Sequence, residues 1–233
     1  MFTREATVDQ INIVTSGNST AQQVYAWLHG RILRGELEPV ARLSETEIAH
    51  QAGVSRQPVR EAFIRLTATG LAEVRPQRGT FIDRISIKAV LSARLIREAV
   101  ESDLIRMVSA HPGDALLDQL DEQLAAQRDA SEKQDVEAFI ALDDRFHHSL
   151  AVAAGHGDVW DVLEGLKSQM NRLRYITARV FDHQKLIEQH GAIVQALREG
   201  DTDAAEQAMR LHLREVLNDL PEIAAAKPEF FTE

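Results

Sequence analysis

The chain has 233 residues, 44% of them hydrophobic, with a net charge of −10 and no cysteine. That length suits one or two domains with a real core and excludes wholesale disorder; the missing thiols exclude disulfides, thiolate metal sites and a cysteine nucleophile. No apolar run approaches the roughly 18–20 residues of a membrane span, and residues 1–18 lack a signal peptide's apolar centre, so a reducing, cytoplasmic setting is expected.

Charge is unevenly spread. Residues 1–85 hold 10 arginines and 9 acids, which leaves 16 basic against 27 acidic residues in the remainder. Every basic residue before Lys88 is arginine, the side chain that grips guanine and phosphate with a two-toothed fork. The asymmetry points to a DNA-facing head on an acidic body, although acidic helical surfaces also serve solubility alone. With 5% aromatic residues, few platforms exist for stacking single-stranded RNA.

In chain order, residues 1–18 read as a flexible tail. Asn18-Ser19-Thr20 offers cap chemistry for a helix through about Leu33, with Val24, Trp27, Leu28, Ile32 and Leu33 at helical spacing and Gly35 as its stop. Ser44 and Glu47 form a capping-box pattern for a short helix that carries Ile48 and Ala49 inward and stops near Gly53. The next helix begins at Ser55, with Val59, Phe63, Ile64 and Leu66 as its expected buried face and Gly70 as its end. Leu71 to Ile82 reads as two strands joined around Arg75-Pro76-Gln77-Arg78-Gly79.

From Ser86 onward no strand pattern is found. Six helical stretches are expected near 87–109, 114–130, 135–154, 158–180, 183–199 and 202–219, with breaks at Pro112-Gly113, Ser131, Gly155–Gly157, Phe181-Asp182 and Gly200-Asp201. Residues 221–233 read as a C-terminal tail. The expected fold is therefore mainly α: a winged helix-turn-helix over 19–84 and an all-α bundle over 86–220.

Two short helices separated by Gly53-Val54 meet the needs of a helix-turn-helix, whose second helix presents its N-terminal residues to the major groove. Arg56 and Arg60 are four apart and share one helical face. For each arginine alone, a solvated surface residue is the competing reading.

In the body, Asp143 and His147 stand at i,i+4, and His190 and His212 fall on two further helices among apolar neighbours. If these helices form a bundle, the four side chains can converge inside it. Three imidazoles and a carboxylate suit a divalent ion, with zinc expected first and nickel or manganese as alternatives. Lone histidines on helices are more often satisfied core or surface residues; His29, His50, His111, His148, His156 and His183 are read that way.

The head resembles the DNA-binding domain of the GntR family through Leu43-Ser44-Glu45-Thr46-Glu47-Ile48-Ala49, Gly53-Val54-Ser55-Arg56-Gln57-Pro58-Val59-Arg60-Glu61-Ala62, Leu66, Gly70-Leu71 and Arg78-Gly79-Thr80-Phe81-Ile82. The resemblance implies that Arg56 and Arg60 contact operator DNA, with Gln57 beside them on the same helix end, Ser55 on phosphate and the wing tip Arg78-Gly79 at a minor groove. It departs at Thr46, where many relatives carry a DNA-contacting arginine.

The body is similar to the FCD domain of the FadR-like subfamily through Arg97-x3-Glu101, Asp143-x2-Phe146-His147, Glu188-Gln189-His190-x2-Ile193 and Gly200-Asp201-x2-Ala204-Ala205-x6-His212. What this implies is a homodimeric regulator, a repressor, with Asp143, His147, His190 and His212 as metal ligands. It also implies a small organic acid effector (a hydroxy acid, sugar acid or dicarboxylate) at the metal's open positions. Arg97 is the first candidate to bind its carboxylate and Arg174 the second; each could instead serve only an intrahelical ion pair. The stretch Ala153-Ala154-Gly155-His156-Gly157 departs from the family pattern, which has Asn-Pro after that glycine. Two further readings stay open: a purely structural metal, and a metalloenzyme that activates water, for which no general base is evident.

Overall fold

A computed structural model of the chain describes residue 13 and residues 17–177 and 183–232. The expected tail lies outside the described residues apart from 13, 17 and 18, as does the Phe181-Asp182 break. The chain divides into two compact units, one of Met1–Ile87 with Ser168–Ile176 and Lys227–Glu233, the other of Lys88–Lys167 with Thr177–Ala226.

The first unit opens with α1 (Thr20–Leu33), β1 (Arg42–Leu43), α2 (Glu45–Gln51), α3 (Arg56–Ala68), β2 (Ala72–Arg75) and β3 (Gly79–Ile82). Ser19 caps α1 in a full capping box with Gln22, and the Ser44 hydroxyl accepts from the Glu47 amide to start α2. The α2–α3 turn passes through Gly53 at φ 63°, a left-handed conformation that glycine adopts without a Cβ penalty. Strands run antiparallel in the order β1-β3-β2, with Arg75 opposite Gly79 at the wing tip. Val24, Leu28 and Ile32 of α1 meet Val59, Phe63 and Leu66 of α3, all at most 3% exposed. Ile64, expected on that face, is instead 63% exposed. Positions 59, 62, 63 and 66 complete the inward stripe, and 64 falls one residue past its edge.

Two later segments complete this unit. Helix α8 (Ser168–Thr177) buries Met170, Arg172 and Leu173, and its Tyr175 packs on the head core. Gln169 Nε2 donates to the Gly70 carbonyl, and Arg172 Nη1 donates to the Asp83 carbonyl at 2.7 Å. The C-terminal strand β5 (Phe231–Thr232) runs parallel to β4 (Ile85–Ser86). Neither pairing follows from local periodicity.

The second unit is helical: α4 (Ile87–Ser109), α5 (Asp114–Glu132), α6 (Val136–Ala153), α7 (Gly157–Leu166), α9 (His183–Glu199), α10 (Thr202–Arg214) and α11 (Val216–Ala226). Its core gathers Ile105 from α4, Leu120 and Leu124 from α5, Phe146 and Leu150 from α6, Ile193 and Leu197 from α9, and Met209 from α10. The Gly200-Asp201 stop and start appears as read: Gly200 stands at φ 68°, and the Asp201 carboxylate caps the Ala204 amide at 2.9 Å.

Where six body helices were expected, the described residues show eight. The stretch near 158–180 divides into α7 and α8 at Lys167, a fully buried residue. Its ammonium sits between Asp144 (2.9 Å) and Glu164 (2.8 Å) and over the Trp160 ring. The last helix also continues past Pro221, expected as its stop. A proline there deprives only the Leu217 carbonyl of its helical partner, and Leu217 is an exposed residue.

Candidate functional site

Two groups of residues carry chemistry, one in each unit. In the head, Ser55, Arg56, Gln57 and Arg60 are exposed at the N-terminal end of α3, and Arg78 is exposed at the wing tip. Ser55 is the N-cap by backbone position, but its side chain makes no capping hydrogen bond. Gln57 Nε2 donates to Glu61 Oε1 at 3.0 Å. Arg56 and Arg60 both reach the carboxylate of Glu45, a residue not singled out in the sequence. Thr46, where the sequence departs from its relatives, is exposed beside it. Gly79 stands at φ 106°, a backbone conformation that L side chains rarely adopt, and a Cβ there would lie 3.2 Å from the exposed Arg42 side chain, so the backbone favours glycine at the wing tip.

In the second unit, α6 brings in Asp143 and His147, α9 His190 and α10 His212. All four are buried, and their ligand atoms lie within 4.8 Å of one another. His147 Nε2 and His212 Nε2 are 3.1 Å apart, and His190 Nε2 and His212 Nε2 3.2 Å. Asp143 Oδ1 is 3.6 Å from His190 Nε2, and Oδ2 is 4.0 Å from His147 Nε2. The spacing seen only as an i,i+4 pair plus two separate histidines thus closes into one centre.

Three residues outside this centre decide its chemistry. His190 Nδ1 is 2.9 Å from Gln127 Oε1, and His212 Nδ1 is 3.1 Å from Gln189 Oε1. The Gln127 amide is oriented by its Nε2 donating to the Leu142 carbonyl, and the Gln189 amide by its Nε2 donating to Glu215. His147 Nδ1 faces Glu101 Oε2 at 2.6 Å. For His190 and His212 an oriented amide oxygen at Nδ1 favours the proton there, which turns the Nε2 lone pair toward the centre; His147 Nδ1 faces the Glu101 carboxylate without a hydrogen bond. Sequence spacing pointed to none of these three roles. Gln189 adjoins a ligand, Glu101 entered only as part of a resemblance, and Gln127 carried no signal.

The electrostatics agree. Burial pushes His212 well below the usual histidine range, and the neighbouring His190 and His147 rings push it the same way. Burial alone would raise the Glu101 carboxyl, but Arg97 and His147 outweigh it and hold it at about 2. Arg97 Nε donates to Glu101 Oε1 at 2.6 Å, and both side chains are buried, so this i,i+4 pair is not a surface decoration. Arg174 lies on α8, in the other unit, with Nη1 donating to Asn171 Oδ1 at 3.5 Å. His156 precedes α7 without a side-chain cap, and Gly155 before it stands at φ 80°. His156 and Arg210 line a surface groove of about 590 Å³ with α4 residues.

Among the described residues, no helix is long and apolar enough to cross a membrane. The profile described as bacterial regulatory proteins, gntR family, matches residues 20–82, and that of the FCD domain matches residues 94–215. The chain is 38% identical over 216 residues to the HTH-type transcriptional repressor RspR of Escherichia coli K12, covering 91% of this chain and 93% of that one. It is 37% identical over 222 residues to an uncharacterized HTH-type transcriptional regulator of Streptomyces ambofaciens, covering 93% and 92%. Among solved structures, E. coli McbR/YncC shares the fold with a TM-score of 0.72 at 22% identity, over 88% of this chain and 99% of that one. The two curated relatives are named as transcriptional regulators, not as enzymes. The chain belongs to the GntR family of DNA-binding transcriptional regulators, with an FCD domain behind its helix-turn-helix head.

Proposed function

We propose that the chain is a homodimeric repressor whose affinity for operator DNA is set by a small organic acid bound at a divalent metal ion in the second unit. Ser55, Arg56, Gln57, Arg60 and the Arg78-Gly79 wing tip form the DNA surface. Asp143, His147, His190 and His212 hold the ion. The observation that carries the metal is the convergence of three buried Nε2 atoms beside a carboxylate, since buried lone pairs that face one another repel unless a cation lies between them. Separations of 3.1–3.2 Å between ring nitrogens can be bridged by one ion ~2.0–2.1 Å from each nitrogen. The residues fit such an ion, with zinc first and nickel or manganese able to take the same ligands.

When bound, the ion supplies a Lewis acid to which a hydroxy acid, sugar acid or dicarboxylate can chelate. The chain's own part is to hold the His190 and His212 imidazoles in one tautomer and to keep the Arg97 cation beside the centre. Arg97 is the proposed clamp for the effector carboxylate. An effector that favours a head arrangement other than the one that fits the operator lowers operator affinity by its differential binding free energy. A second reading, a purely structural metal, is favoured by the near-complete burial of all four ligands, which are 0–6% exposed.

The test is binding of the purified, zinc-loaded protein to DNA from its own upstream region, with and without a panel of organic acids. Release by one acid, abolished in His190→Ala and His212→Ala, supports the switch. Tight DNA binding unmoved by any acid, with chelation only lowering the melting temperature, favours the structural metal.

A further inference from the structure

Glu45 is the first residue of α2, and its carboxylate takes three hydrogen bonds from two arginines of α3. Arg56 Nη2 donates to Oε2 at 3.1 Å, Arg60 Nε donates to Oε1 at 3.2 Å, and Arg60 Nη2 donates to Oε2 at 3.1 Å. The backbone that carries it is fixed, because Ser44 caps α2 and Ile48 and Ala49 bury the helix against the head core. The guanidinium groups are not buried: the arginine side chains are 60% and 54% exposed. Exposed ion pairs add little to stability, so stability gives no reason for two arginines to share one acid at this place.

The atoms used are informative. A guanidinium has a side edge, Nε with one Nη, and an end edge, Nη1 with Nη2; either can make two parallel hydrogen bonds. Arg60 gives Glu45 its side edge, which leaves Nη1 and the second Nη2 hydrogen pointing away as an intact fork. Arg56 gives a single Nη2 hydrogen and keeps Nη1 and Nε. We infer that Glu45 is a specificity-determining residue of the DNA surface, holding Arg60 by its side edge so that its end fork faces a base pair, and tethering Arg56 beside it through one Nη2 hydrogen bond. This rests on the reading that Arg56 and Arg60 contact DNA.

Two consequences follow from elementary physics. Arginine chains held before the encounter lose less rotamer freedom on meeting the correct base. The shared carboxylate also cuts the net charge of the trio from +2 to +1, which weakens attraction to phosphate whatever the sequence. Both effects widen the gap between the correct duplex and a random one.

The experiment uses the full-length protein and a duplex selected from a random library by the wild type, compared with a scrambled duplex at one fixed salt concentration. In Glu45→Gln and Glu45→Ala, the ratio of selected to scrambled affinity should fall at least tenfold, with scrambled binding tightened. In an Arg60→Ala background, the same Glu45→Gln change should alter that ratio less than threefold. Unchanged melting of both Glu45 variants establishes that the head is intact. A ratio within twofold of wild type in both variants overturns the inference, as does a tenfold fall that persists without Arg60. Wild-type binding by both Arg56→Ala and Arg60→Ala would instead overturn the underlying contact assignment, whatever the Glu45 variants do.

Discussion

Gln127 Oε1 sits 2.9 Å from His190 Nδ1, and both side chains are fully buried. This pair joins α5 to α9 and dictates which imidazole nitrogen is bare. Gln127→Leu, close in volume, should leave the bundle folded but free the His190 ring to turn or change tautomer. Outer partners of this kind are worth about 10–100-fold in metal affinity. Zinc titration calorimetry should show a loss of that size, with Gln127→Glu, which keeps an acceptor, retaining most of the affinity.

Phe146 is fully buried and stacks on the His190 ring at a centroid distance of 4.3 Å. Phe146→Ala should cost about 3–5 kcal/mol through lost burial and the cavity left behind. Chemical denaturation of the metal-free protein would measure it. Because the ring also walls the centre, zinc affinity should fall in the same variant.

Glu98 is a buried carboxylate approached by Arg94, Arg210 and Arg214, with Arg214 Nε donating at 2.9 Å. Hydrogen bonding from Arg214, and then from Arg210, holds its pKa below the usual 4.5 against the opposing effect of burial. A carboxyl depressed in the folded state stabilises the protein above its unfolded pKa, and that contribution is lost as pH falls through the folded value. Glu98→Gln should therefore melt lower than wild type at pH 7, by roughly 2–4 °C for each kcal/mol lost. The difference should shrink as pH drops below about 4.5; a gap that stays constant from pH 7 to pH 3 would sink this account.

Arg172 is 1% exposed, and its Nη1 donates to the Asp83 carbonyl at 2.7 Å. Burial lowers its pKa to about 10, with Asp83 opposing, so the group stays charged at neutral pH. Arg172→Met keeps the volume but leaves that carbonyl without this donor, at a cost of ~1–3 kcal/mol. Amide exchange in β4 and β5 should quicken in this variant.

The elements with strong local signals were legible in the chain. Ser19 and Ser44 announce helix starts, Gly53 a tight turn and Gly200-Asp201 a stop and a start, because each satisfies backbone groups within three or four residues of itself. The same holds for the arginines of α3, whose exposure follows from helical periodicity alone, and for Asp143 with His147 on one face of α6. Ile64 shows the limit: an apolar residue next to the buried stripe was read as part of it, and one position of helix rotation put it in solvent.

Other features depend on partners far away in sequence. Periodicity reads α8 as the end of one body helix over 158–180, yet contacts with Gly70 and Asp83 place it in the head's compact unit. The end of the chain reads as a tail, yet Phe231 pairs with Ile85. Sequence alone determined a helix-turn-helix head with two exposed arginines and a helical body bearing three histidines and an aspartate spread over three helices. Only tertiary packing decided that those four meet, that Glu101, Gln127 and Gln189 orient the rings, and that Glu45 gathers the arginines. A helix's period says which face turns inward, but the residue it meets there comes from another part of the chain.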